Sequence, residues 1–97
     1  MIERAGASPA FRKITIVVGV KYGELEIFAG SYERINPDRS VIGYRPVGRI
    51  QRWMGNDAPR NVNVPVEDGV MFSTAQDAEA FIVGRAKMLV DEGLIAI

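Results

Sequence analysis

"YRPVGRIQRWMG", residues 44–55, decides how many strands this chain can place in a sheet. Taken as a helix, it has Pro46 at the first helical position and Gly55 just past the end, where proline and glycine are favoured. Val47, Ile50 and Met54 would then share one face, and Arg45, Arg49 and Arg52 another. Taken as a strand, it sets Arg45, Val47, Arg49, Gln51 and Trp53 on one face against Tyr44, Pro46, Gly48, Ile50 and Arg52 on the other. Gly48 would cost a helix about 1 kcal/mol, and Val41 to Tyr44, just upstream, is β-prone. The balance tips narrowly to a strand at a sheet edge, where Pro46 is tolerable, with the helix as the alternative.

Upstream, "KITIVVGV" sets Ile14, Ile16, Val18 and Val20 against Thr15, Val17, Gly19 and Lys21, the period-two pattern of a strand with one apolar face. "GELEIFAG" repeats the pattern with Leu25, Ile27 and Ala29. The short link "KYGE" contains Gly23, so strands over 13–20 and 23–29 are expected to pair as a hairpin. Residues 1–11, with Pro9 and several small residues, read as a loose arm. "RINPDRS" is turn chemistry.

Downstream, "GNDAPRNVNVP" reads as a loop, and Asp68-Gly69 as a turn leading into a strand over Val70–Phe72. Ser73 or Thr74 then caps a helix over about 75–91, with Gln76 or Asp77 placed for a capping box. Ala78, Phe81, Ile82, Ala86, Leu89 and Val90 follow the spacing of one buried stripe, with Phe81 expected at the contact with the sheet. Gly93 suits the left-handed residue that ends helices. The apolar tail "LIAI" is expected to fold back on the core.

Strands first and one long amphipathic helix last define an α+β fold: an antiparallel sheet of three to four strands packed against a C-terminal helix, in a single domain over 1–97. The segment "FSTAQDAEAFIVGRAKMLVDEGL", residues 72–94, resembles the terminal helix of small uncharacterised bacterial and phage proteins. Those have a three-stranded sheet followed by a helix, similar in shape to the double-stranded-RNA-binding domain. The resemblance implies a fold and carries no functional residue across. This chain departs from RNA-binding members at the start of the last helix, where Asp77 and Glu79 stand in place of a lysine cluster.

With 97 residues, 47% of them hydrophobic and 25% charged, the composition is that of one small soluble domain. No cysteine or histidine occurs, which excludes disulfides, thiolate nucleophiles, imidazole bases and the commonest transition-metal ligands. No apolar run approaches the ~20 residues of a membrane span, and the first ten residues lack a signal-peptide core, so a cytoplasmic location is expected. Glu24 and Glu26 share a strand face, yet no third ligand joins them, and the glycines never assemble into a phosphate-binding loop. The expectation is therefore no enzyme, no cofactor, no metal and no small-molecule substrate.

Zero net charge conceals an uneven distribution. Residues 34–60 carry six arginines against Asp38 and Asp57, while residues 61–97 carry Arg85 and Lys87 against six acids. Within the basic segment, Tyr44, Arg45, Arg49, Arg52 and Trp53 are the interaction candidates, since tyrosine, tryptophan and arginine are enriched at protein-interface hot spots. The expected function is macromolecular contact with a protein partner or a second copy. Its sharpest form is a phage or mobile-element accessory protein that inhibits a host immune complex. The alternative is a nucleic-acid-binding module using the Arg/Trp-rich stretch 44–55, for which the chain's neutrality is unfavourable.

Overall fold

Alternation prevails over the helical spacing in the ambiguous stretch. The computed structural model describes residues 10–97, with side chains from residue 19. The elements are β1 (Ala10–Tyr22), β2 (Leu25–Ile35), β3 (Val41–Met54), β4 (Asp57–Asn63) and α1 (Ala75–Asp91). All strands pair antiparallel in the order β1-β2-β3-β4, and α1 packs on β2 and β3. The expected α+β class holds, at the upper end of its strand count.

The edge position expected for 44–55 is incorrect, because β3 lies between β2 and β4. Pro46 is accommodated in this interior strand by the direction of its nitrogen. Tyr44 exchanges both backbone bonds with Phe72, and Gly48 O accepts from Val64 N. Groups on alternate residues point the same way, so the Pro46 nitrogen points that way too. It faces a gap, since β4 has ended at Asn63 and only the single bridge at Phe72 resumes the pairing. No ladder bond is asked of Pro46.

The expected loop after Gly55 is also corrected. Gly55, at φ 67, and Asn56 form a two-residue turn, and Asp57–Asn63 returns as β4. Every β4 residue except the half-buried Val62 is exposed. A strand that faces water can carry Asn, Asp, Pro59 and Arg60, and proline is at home on an edge. Val70–Phe72, expected as a strand, contributes only the Tyr44–Phe72 bridge. The loose arm expected over 1–11 ends sooner, because Ala10 and Phe11 pair in β1; residues 1–9 lie outside the described residues.

The β1–β2 hairpin turns through Gly23, at φ 62, and Glu24. Its register departs from simple alternation. A shift between Ile16 and Val18 sets Ile16 opposite Gly30 but Val18 opposite Ala29, an irregularity of one residue in the pairing. β2 and β3 turn through 36–40, where Arg39 takes φ 74, a left-handed conformation that brings its Cβ too close to the following carbonyl oxygen. Arg39→Gly is expected to raise stability by about 1 kcal/mol, or about 4–8 °C in thermal midpoint, read by calorimetry. An unchanged midpoint would show that the turn bears no strain.

The helix forms where its signals lie. Thr74 caps it by accepting from Asp77 N at 3.1 Å. At the other end Gly93, at φ 68, donates to Val90 O while Leu94 donates to Leu89 O, the paired bonds of a Schellman motif. Ile82, Ala86 and Leu89 are buried against Leu25, Ile27, Ala29, Ile50 and Val64, and Ala78 is buried as well. Ile82 is the central contact, with no exposed surface. Phe81, expected at that contact, is half-buried at its margin, tilted on Phe72 at 5.3 Å with Arg85 over its ring. Ile95 and Ile97 pack against the core, as expected of the tail. Tyr22 donates to the Asp91 carboxylate at 2.6 Å, tying the hairpin to the helix end, and that hydrogen bond raises the phenol's pKa. No described helix is long and apolar enough to cross a membrane.

Candidate interaction surface

Cross-strand partners share a face of the sheet, and the helix covers only one face. Leu25–Arg52, Ile27–Ile50, Ala29–Gly48 and Ser31–Pro46 belong to the helix side. Glu26–Gln51, Phe28–Arg49, Gly30–Val47 and Tyr32–Arg45 belong to the opposite side. Among the described residues, no helix or strand packs on that second face, where Gln51 is buried while Phe28, Val47 and Arg49 are half-buried.

The five interaction candidates therefore do not form one surface. Tyr44 and Arg52 stand on the helix side, by register with Glu33 and Leu25. Arg52 reaches Glu24 at 3.1 Å, and its buried Nε has no hydrogen-bond partner. Trp53 lies within a register shift near the β3–β4 turn and is 56% exposed. Arg45 and Arg49 are the two that the β2–β3 register places on the open face. Trp53 is eight residues from Arg45, about 26 Å along the strand at ~3.3 Å per residue.

Arg45 is a structural clamp. Its guanidinium donates to Glu67 O at 3.0 Å, Val70 O at 3.2 Å and Val66 O at 3.2 Å. These carbonyls belong to the segment that crosses the gap beside Pro46, so Arg45 supplies donors where no strand does. Arg85 fastens the same segment to the helix, donating to Pro65 O at 3.2 Å and Glu67 Oε2 at 2.9 Å. That ion pair lowers the Glu67 pKa.

Arg49 is held differently. Its guanidinium lies 4.5 Å from the centre of the Phe28 ring, and no described carboxylate is within salt-bridge distance of it. The nearest candidate by register, Glu26, has its Oε2 beside Gly19 of β1, the cross-strand partner of Phe28, and forms no salt bridge with Arg49. Across from Arg49 on β4 stands Asn63. Between these groups and the 64–66 segment lies a cleft of about 470 Å³, with Val47, Pro46, Val64 and Val66 as its apolar lining. Phe28 and Asn63 are the site residues that sequence reasoning missed. Neither lies in the arginine-rich stretch, and only the strand register brings them to Arg49.

Neither of the two described ion pairs joins the basic segment 34–60 to the acidic segment 61–97, since Arg52 pairs with Glu24 and Arg85 with Glu67. No protein-family model, curated protein or solved structure matches this chain.

Proposed function

We propose that the chain is a non-enzymatic interaction protein that binds another protein through the open face of its sheet. One observation carries the reading: Arg49 is stacked on Phe28, without a salt-bridged carboxylate, beside a cleft of mixed polar and aliphatic lining on a face that no described helix or strand covers. A preorganised arginine next to aromatic and aliphatic surface is the composition of a binding hot spot. The cleft's side chains supply guanidinium, phenol, amide and aliphatic groups, which suit contact.

Nucleic acid is the weaker reading on this geometry. Base stacking needs a free aromatic face, and the Arg49 guanidinium covers one face of Phe28. Trp53, the exposed ring, does not line the cleft.

Affinity capture from native lysate, with mass spectrometry, tests the proposal on three variants. Val47→Asp and Arg49→Glu should reduce recovery of a protein partner by about tenfold or more, with thermal midpoints close to wild type. Trp53→Ala should leave recovery unchanged. Loss with Trp53→Ala alone would move the surface to the β3–β4 turn. In parallel, labelled single- and double-stranded oligonucleotides should bind weakly; a steep salt slope would favour nucleic acid.

A further inference from the structure

The open-face cleft also indicates what chemistry its occupant brings. Resting on the reading above, we infer that it takes a carboxylate carried on an apolar stem: an aspartate or glutamate side chain in an acidic segment of the partner protein. Arg49 is the donor. Its guanidinium is already oriented by Phe28, so little side-chain freedom is lost when an acid arrives. No described carboxylate forms a salt bridge with it, and Glu26, on the same face, has its Oε2 beside Gly19 of β1. Asn63, directly opposite on β4, adds an amide donor beside the same cleft.

The rest of the cleft selects the stem. Val47 and Val66, both half-buried, offer aliphatic surface rather than further charge, above the buried Pro46 and Val64. Arg45, the other guanidinium at the cleft, already spends donors on three backbone carbonyls. One available guanidinium over aliphatic walls matches a monoanion with methylene groups; a nucleic-acid backbone calls for a row of cations. Strand addition is not the mode here, because Pro46 has no N–H to offer along the uncovered stretch of β3. Recognition runs through side chains.

The test is a titration of the ¹⁵N-labelled chain, observed at the Arg49 Nε–Hε and Asn63 side-chain amide resonances. The probes are 3-phenylpropionate, its neutral amide 3-phenylpropanamide, and inorganic phosphate. The carboxylate is expected to move both resonances saturably, with a millimolar dissociation constant, and at least about tenfold more tightly than the amide. Arg49→Gln, which keeps a planar amide on Phe28, should abolish the effect while the remaining spectrum stays in place. Equal shifts from carboxylate and amide would overturn the inference, as would tighter binding of phosphate. So would the same response at the solvent-facing Arg39 and Arg60. The inference falls alone if Val47→Asp still abolishes partner capture while Arg49→Gln does not. If neither variant affects capture, the open-face reading falls with it.

Discussion

Gly48→Ala is expected to destabilise the fold by about 3 kcal/mol, a large share of the ~5–15 kcal/mol that holds a domain together. The residue lies on the helix side of β3, where Ile82 of α1 packs over it. A Cβ there would sit 2.4 Å from Ile82 Cγ2 and 2.6 Å from the Phe28 carbonyl oxygen. The isoleucine methyl can move with its rotamer. The carbonyl cannot, because it belongs to the backbone of the strand paired with β3. A double variant separates the two contacts. Ile82→Ala alone should cost about 2–5 kcal/mol through the cavity it leaves. Adding Gly48→Ala to it should cost more again, since the Phe28 carbonyl remains. If urea unfolding finds the double variant no less stable than Ile82→Ala, the backbone clash is absent and the helix merely rests on a movable side chain.

The same glycine separates what the sequence makes legible from what it hides. In a helical or a strand reading Gly48 is a modest penalty; only packing reveals that a side chain there would meet Ile82 and the Phe28 carbonyl. Local signals were readable throughout. Thr74, Asp77 and Gly93 place both ends of α1, and Gly23 places the first hairpin, because each acts within a few residues. The interior position of β3 was not readable, since a second neighbour is a non-local fact and Pro46 suggests an edge until its nitrogen is seen to face a gap. β4 was hidden for a related reason: an edge strand with one half-buried residue needs no hydrophobic pattern. The extra residue in β1 shifts register in a run where β-branched residues fill both alternations, so nothing there marks the slip.

The site was half legible in the same sense. Strand parity already groups Arg45 with Arg49 and separates them from Tyr44 and Arg52, and the register bears this out. Parity cannot distinguish a guanidinium spent on backbone carbonyls from one stacked and unpaired. That distinction arises from residues 20 or more positions away, and it assigns the two arginines opposite roles.

Arg45→Met is accordingly expected to cost about 2–3 kcal/mol of stability, whereas Arg49→Gln costs little. Methionine keeps an apolar stem but withdraws three charge-assisted donors, and hydrogen bonds to charged groups contribute about 1.5–3 kcal/mol each before water replaces some of them. The Val66, Glu67 and Val70 carbonyls lose the partner that stands in for a missing strand. Arg85 would still hold the segment to the helix through Pro65 and Glu67, so the loss should be partial and local before it is global. Two measurements follow the two scales: the urea midpoint for the whole fold, and amide hydrogen exchange over 64–72 for the segment. Faster exchange there, together with a lower midpoint, is the expected pair. An Arg45→Met chain with wild-type midpoint and wild-type exchange would show that the clamp carries no stability. Arg45 would then return to the interaction surface beside Arg49, and the open face would present two guanidinium groups to its partner.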